Sequence, residues 1–125
     1  MKINGLDHTA IPVSDLQKSI DWYCEVLGLS VFQSEENWGP FPIMVLAGET
    51  GIALFPKKEG DDLEYLTTRM HIAFRVDQDS FRQFQHLFEQ KGLGFSFEDH
   101  HYFHSIYLND PDGYKIELTT PVVGD

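Results

Sequence analysis

An eight-residue segment near the N-terminus returns 63 residues later, and this repeat constrains the fold more than any other feature. Residues 6–13 are Leu-Asp-His-Thr-Ala-Ile-Pro-Val and residues 69–76 are Arg-Met-His-Ile-Ala-Phe-Arg-Val, so His, Ala and Val recur in register. Similarity at a fixed spacing indicates two copies of one supersecondary unit. The sequence therefore predicts two similar halves.

Each copy is followed by an amphipathic helix pattern. In the first half we expect Ser14 to cap the helix and Gly28 to end it; in the second, Asp79 or Ser80 is the expected cap and Gly92 the end. The apolar stripes are Leu16, Ile20, Tyr23 and Leu27, and then Phe81, Phe84, Leu87 and Phe88. Both spacings are those of one helical face.

Three strand-like segments follow each helix. They are residues 29–32, 43–47 and 51–55 in the first half, and residues 95–98, 105–109 and 114–119 in the second. Residues 36–42 are predicted to form a turn, and Asp110–Gly113 a hairpin turn. The pattern predicts an α+β fold of two β-α-β-β-β modules in a pseudo-twofold arrangement that forms a cupped mixed sheet.

The length of 125 residues fits one domain spanning 1–125. Within it, module one covers about 4–56, the linker about 57–67, and module two about 68–120.

Composition excludes several classes of protein. The net charge of −11 opposes binding to nucleic acid or anionic membranes. No apolar run is long enough to span a bilayer, and the single Cys cannot form an internal disulfide. We therefore expect a cytoplasmic protein.

Strand alternation brings three possible metal ligands to equivalent positions. His8, His71 and Glu117 all fall on the strand face turned away from the helices. The repeat makes Ala53 the equivalent of Glu117 in the first half. Three of the four equivalent positions can therefore bind a cation, and the fourth, Ala53, cannot. Two imidazoles and one carboxylate leave coordination positions open for water and substrate.

The chain resembles the vicinal oxygen chelate superfamily, which includes glyoxalase I, fosfomycin- and bleomycin-resistance proteins and extradiol dioxygenases. The similarity rests on Leu6-Asp7-His8, on Leu27-Gly28-Leu29, on Met70-His71-Ile72-Ala73-Phe74, and above all on the segment from Ile106 to Leu118. The resemblance implies a metal held by His8, His71 and Glu117, a small-molecule substrate with adjacent oxygens, and a homodimer.

The reaction stays open between several alternatives. Ala53 replaces the fourth ligand of glyoxalase I-like proteins, and no Arg or Lys follows Lys115, unlike in fosfomycin-resistance enzymes. Tyr107 lies ten residues before Glu117, as in extradiol dioxygenases, with His100 upstream. Extradiol-type ring cleavage favours Fe²⁺ or Mn²⁺, whereas a lyase, isomerase or thiol transferase suits Zn²⁺, Ni²⁺ or Mn²⁺. A non-catalytic binding or resistance protein that uses the same cavity is the further alternative.

Supporting residues complete the predicted site. Tyr107 shares the ligand face and is the candidate proton donor, and His100 is a candidate acid or base. His101 and His104 belong to the same cluster and are alternatives to it. The candidate substrate-binding residues are Arg75, Phe55 and Trp38; Arg69 is also expected on the ligand face.

Overall fold

The computed structural model describes residues 1–122. Residues 123–125, the end of the predicted single domain, lie outside the described residues. The chain divides into two compact units, one formed by Met1–Leu63 and one that begins at Glu64. Each unit contains a β-α-β-β-β module, which confirms the predicted α+β class. The pseudo-twofold relation between the modules and the single domain stay predictions.

The N-terminal unit is a four-stranded mixed sheet covered by a helix. Its elements are β1 (His8–Val13), α1 (Leu16–Leu27), β2 (Ser30–Phe32), α2 (Glu35–Trp38), β3 (Ile43–Ala47) and β4 (Thr50–Pro56). The strand order is β1-β4-β3-β2, with β1 parallel to β4 and the other pairs antiparallel. Parallel pairing of β1 with β4 requires a crossover, and α1 forms part of it.

The core of this unit lies between the sheet and α1. Ile11 and Leu54 are fully buried, as is Tyr23 on the helix. Burial of each such side chain contributes about 1.5–3 kcal/mol to stability. The opposite sheet face is thereby left for the functional side chains.

The helix α1 begins one residue later than expected. Asp15, not Ser14, is the N-cap, and its carboxylate accepts a hydrogen bond of 3.1 Å from the backbone N–H of Lys18. Both residue types can cap a helix, so the sequence does not decide between them. The direction of the chain at the end of β1 determines which one becomes the cap. Gly28 ends the helix with φ of 71°, a left-handed conformation that favours glycine, as predicted.

The C-terminal unit repeats this architecture after a short helix. Its elements are α3 (Leu63–Arg69), which starts at the boundary, β5 (His71–Arg75), α4 (Gln78–Gln90), β6 (Ser96–Asp99), β7 (Phe103–Asn109) and β8 (Lys115–Pro121). The strand order is β5-β8-β7-β6, with β5 parallel to β8. The register of β1 with β4 thus has its counterpart in β5 with β8.

Two local features of this unit were predicted with different success. The cap of α4 is Asp77, which accepts 2.7 Å from the backbone N–H of Ser80, so the prediction of Asp79 or Ser80 was wrong. The hairpin turn is confirmed, because Asp110 Oδ1 accepts from the N–H groups of Asp112 and Tyr114.

Two helices were not anticipated. Helix α2 lies in the predicted turn at 36–42, and α3 extends from the predicted linker into the segment expected to begin a strand. Arg69 consequently ends α3, with its guanidinium 5.1 Å from the ring centroid of Tyr65, and does not join the ligand face of β5. Within residues 1–122, the helices are all too short or too polar to cross a bilayer.

Candidate functional site

The two modules place their inner side chains in corresponding rows. In the C-terminal unit Glu117 pairs with Ala73 on one side and with Tyr107 on the other. In the N-terminal unit Ala53 occupies the same position, between Ala10 and Met44. Directly paired residues point to the same sheet face. The predicted equivalence of Ala53 and Glu117 is therefore present in the strand register.

Glu117 is a buried carboxylate with both oxygens engaged. Its side chain is 9% exposed, its Oε2 accepts a hydrogen bond of 2.7 Å from the Ser105 hydroxyl, and its Oε1 lies 3.3 Å from Nε2 of His71. A buried anion without partners is costly, so these contacts hold the carboxylate in a fixed position. The structure thus joins two of the three predicted ligands, and His71 remains 55% exposed toward solvent.

The Glu117–His71 pair has donor atoms suited to a cation. Oxygen and nitrogen ligands that share one ion at about 2.1 Å lie roughly 3 Å apart, and the observed separation is 3.3 Å. Among residues 1–122, no group of three or more His, Cys, Asp or Glu side chains forms a ready-made cation site. A complete site needs a further ligand beyond this pair.

His8 belongs to the N-terminal unit and is oriented by its neighbour. Its Nδ1 lies 2.7 Å from Oδ2 of Asp7, and its side chain is 48% exposed. Metal-binding imidazoles commonly donate one ring N–H to a carboxylate, which leaves the other nitrogen for the ion. His8 has this arrangement, which leaves its Nε2 as the nitrogen that can bind a metal ion.

Gly51 lies next to His8 in the β1–β4 register and permits close strand packing there. A Cβ at this position would lie 2.7 Å from the Leu46 side chain and 2.7 Å from the Val45 carbonyl oxygen. The backbone N–H of Gly51 donates to the carbonyl of Asp7 over 3.1 Å. Glycine is required here because any side chain would clash with β3.

Tyr107 and His100 are brought together in the C-terminal unit. His100 Nε2 lies 3.0 Å from the Tyr107 hydroxyl and 3.3 Å from Oε2 of Glu98. Burial, and then the negative charge of Glu117, raises the pKa of Tyr107 above its ordinary value. The phenol is therefore protonated at neutral pH and can donate a hydrogen bond.

The other two histidines of the cluster are separated from this pair. His101 is exposed, with φ of 74°, and its backbone N–H donates to Asp99. His104 has the opposite strand parity from Tyr107, and its ring lies 5.0 Å from that of Phe97. Of the three histidines, His100 is the one that contacts Tyr107.

Arg75 lines a small pocket together with Glu117. The pocket measures about 250 Å³ and also includes Tyr102, Phe103 and Thr119. Lys115 is a second cation in this region, with Nζ 5.7 Å from the Tyr107 ring centroid. Arg75 thus lies on the Glu117 side of the sheet, as strand parity predicts.

Trp38 and Phe55 line a larger pocket in the N-terminal unit, together with His8. Its volume is about 570 Å³. The Trp38 indole donates a hydrogen bond of 2.8 Å to the Pro42 carbonyl and meets the Phe32 ring edge-on at 5.6 Å between centroids. The indole is thereby fixed in the pocket wall.

Three contacts of the site were missed by sequence analysis: those of Ser105, Asp7 and Glu98. Ser105 lies two residues before Tyr107, so strand parity alone would have placed it on the Glu117 face. Asp7 directly precedes His8, but adjacency does not reveal a side-chain contact. Glu98 lies two residues before His100 at the end of β6, and this spacing does not reveal a side-chain contact.

Comparison with known proteins defines the class. The model of the glyoxalase/bleomycin resistance protein/dioxygenase superfamily matches residues 5–118. The chain belongs to this superfamily, which confirms the resemblance noted from the motifs.

Individual relatives sharpen this assignment. The chain is 35% identical to metallothiol transferase FosB of Staphylococcus epidermidis, over 100% of this chain and 87% of the relative. It is 30% identical to glutathione transferase FosA of Serratia marcescens, over 93% of this chain and 80% of the relative. The structure of a glyoxalase family protein from Bacillus anthracis matches with a TM-score of 0.80 and 21% identity over 98% of both chains, which supports the fold.

These relatives support the expectation of an enzyme. They are named as transferases, and the name metallothiol transferase supports the predicted divalent metal ion as a cofactor. They do not bear out the lyase, isomerase or dioxygenase alternatives.

Proposed function

We propose that the protein is a metal-dependent transferase that joins a small thiol to an electrophile with adjacent oxygen atoms. The observation that carries this proposal is the buried Glu117 carboxylate, fixed by Ser105 on one oxygen and adjacent to His71 on the other. The similarity to two thiol transferases supplies the reaction type.

The proposed ligands of the divalent cation are His71, Glu117 and His8. The 3.3 Å separation of His71 Nε2 from Glu117 Oε1 and the Asp7–His8 contact support this assignment. When bound, the cation supplies Lewis acidity to substrate oxygens, and Mn²⁺, Zn²⁺ or Ni²⁺ suits this chemistry. A homodimer, expected from the family resemblance, is part of the proposal.

Tyr107 is the proposed hydrogen-bond donor to a substrate oxygen. Its raised pKa keeps the phenol protonated, and His100 lies 3.0 Å from its hydroxyl, where the imidazole can orient it or exchange a proton with it. Arg75, in the pocket with Glu117, is proposed to pair with negative charge on the substrate.

The proposed reaction needs no oxidant or reductant. With an epoxide, the sulfur of the thiol forms a bond to one ring carbon and the bond between that carbon and the ring oxygen breaks. The oxygen stays bonded to the other ring carbon as an alkoxide, and it gains a proton equivalent to the one that the thiol lost. The protein's part is to orient both reactants and to place the Tyr107 phenol beside the developing negative charge.

A panel of epoxides and thiols tests this function. Protein loaded with Mn²⁺ is incubated with one epoxide and one thiol, and adducts are measured by mass spectrometry. The epoxide is fosfomycin or an uncharged aryl epoxide with a hydroxyl group beside the ring, and the thiol is cysteine or glutathione. We expect adduct formation that depends on the metal and is lost in Glu117→Gln. It should be retained in the control His86→Ala, because His86 is exposed on α4. Equal adduct formation by Glu117→Gln, or none by the wild type with any pair, would contradict the proposal.

Ring cleavage is a second candidate, favoured by the contact between His100 and Tyr107. Protein loaded anaerobically with Fe²⁺ is exposed to oxygen and a series of catechols. Oxygen uptake that falls in both Tyr107→Phe and His100→Ala would favour ring cleavage over thiol transfer. Uptake at the level of free Fe²⁺ would exclude it.

A further inference from the structure

The His8 pocket of the N-terminal unit has the wall of a site for an aromatic group. Phe32, Trp38, Met44, Leu46 and Phe55 provide most of its surface. The Trp38 N–H is already bonded to the Pro42 carbonyl, so this indole presents its ring and not a donor. Flat apolar ligands gain most from such walls, since aromatic rings pack edge-on or offset against one another.

The rim of the same pocket is acidic. Asp7 and Glu49 are its two charged side chains, and no Lys or Arg lines it among the described residues. Both carboxylates are exposed. Without a bound metal ion, an anionic ligand would therefore meet repulsion at the entrance, whereas a cation would gain from the carboxylates and from the Trp38 ring face.

The pocket is larger than a very small substrate would fill. Its volume of about 570 Å³ falls in the range of small-molecule binding sites. Fosfomycin carries one methyl group on its epoxide, which would leave most of this space unfilled. The pocket suits a larger apolar group.

We propose that the His8 pocket binds an aryl group without negative charge and prefers one that bears an amine. His8 lines this pocket and is also a proposed metal ligand. The inference that the aryl group belongs to the electrophilic substrate therefore rests on the function proposed above. The preference for an amine over a carboxylate rests on the lining residues alone.

Binding of three indole probes tests this proposal without any turnover. Tryptamine, indole and indole-3-acetate share a ring but differ in charge. Each is titrated into metal-free, ¹⁵N-labelled Trp22→Phe protein while the Trp38 indole N–H signal is followed by NMR. Trp22 lies outside the pocket, and the probes are unlabelled, so one indole signal is observed.

We expect tryptamine to bind at least about fivefold more tightly than indole-3-acetate, with indole between them. Glu49→Gln should narrow this difference, and Phe55→Ala should weaken all three probes. Equal affinities, a preference for indole-3-acetate, or binding unaffected by Phe55→Ala would overturn the proposal.

Failure of the proposed function would give a different pattern. If no thiol adduct forms but the probes bind in the expected order, the pocket proposal stands and thiol transfer fails. If fosfomycin reacts while the probes do not bind, thiol transfer stands and the aryl-binding proposal fails.

Discussion

Ser105 donates a hydrogen bond of 2.7 Å to Glu117, and this contact links a buried strand hydroxyl to the carboxylate of the candidate metal site. Ser105 is fully buried, and it precedes by two residues the Tyr107 that pairs with Glu117. One oxygen of the carboxylate is thus held from β7, which leaves the other directed toward His71. The position of the Glu117 carboxylate therefore depends on contacts with both β7 and β5.

Removal of the Ser105 hydroxyl should weaken both folding and metal binding. Ser105→Ala leaves a buried carboxylate oxygen without its donor, at a cost of about 1–3 kcal/mol in the free energy of unfolding. We expect metal affinity to fall by about 10–100-fold, as for other residues that orient a ligand. Urea denaturation and calorimetric titration measure the two effects. Ser96→Ala, at an exposed position on β6, should change neither; an unchanged metal affinity in Ser105→Ala would refute the orienting role.

The Asp7–His8 contact gives a parallel prediction in the N-terminal unit. Asp7→Ala frees the imidazole to rotate, so metal affinity should fall by about tenfold or more. Asp7→Asn retains an oxygen that can accept from Nδ1–H and should bind metal more tightly than Asp7→Ala. Competition with a metal-binding dye provides the measurement. Equal affinities of wild type and Asp7→Ala would show that Asp7 does not orient His8.

Tyr107 and His100 should affect turnover without affecting metal content. Tyr107→Phe removes the proposed donor and should lower kcat by about 10²–10⁴-fold, the usual contribution of a positioned acid or base. His100→Ala should cause a smaller loss, since it acts through Tyr107. His101→Ala is the matched control, because its side chain makes no contact with Tyr107. A loss of metal in Tyr107→Phe, or equal effects of His100→Ala and His101→Ala, would contradict these roles.

Asp77 should make part of the stability depend on pH. Hydrogen bonds from Ser80 hold the pKa of this N-cap carboxyl below its ordinary value. A lowered folded-state pKa means that the stabilisation is present above the ordinary pKa and is lost as pH falls through the folded value. We expect Asp77→Asn, which can still cap α4, to remove this acidic dependence while changing Tm little at neutral pH. Thermal unfolding between pH 2 and 7 tests this, and an identical pH dependence in both proteins would contradict it.

Strand faces and module order were predictable because they follow from alternation and repetition. His71, Ala73 and Arg75 are exposed while Ile72 and Phe74 between them are less so, as the alternation requires. The register that pairs Ala73 with Glu117 has its counterpart at Ala53 for the same reason. These properties depend on the backbone period alone.

Contacts across turns were not predictable from the sequence. The approach of His100 to Tyr107 depends on the short connection between β6 and β7, where His101 adopts a positive φ and the His100 N–H donates to the Phe103 carbonyl. The cap of α1 at Asp15 likewise depends on where the chain leaves β1. Side-chain pairs that depend on a loop conformation have no periodic signal.

Metal binding by variants of the three proposed ligands tests the cation site itself. Mn²⁺ and Zn²⁺ binding is measured by calorimetry and elemental analysis for wild type, His8→Ala, His71→Ala, Glu117→Gln and the surface control His86→Ala, with circular dichroism to confirm folding. We predict one bound ion per chain in the wild type and in His86→Ala, and at least a hundredfold loss of affinity in each ligand variant, equivalent to about 2.7 kcal/mol or more. Wild-type affinity in any one of the three ligand variants would contradict the proposed site.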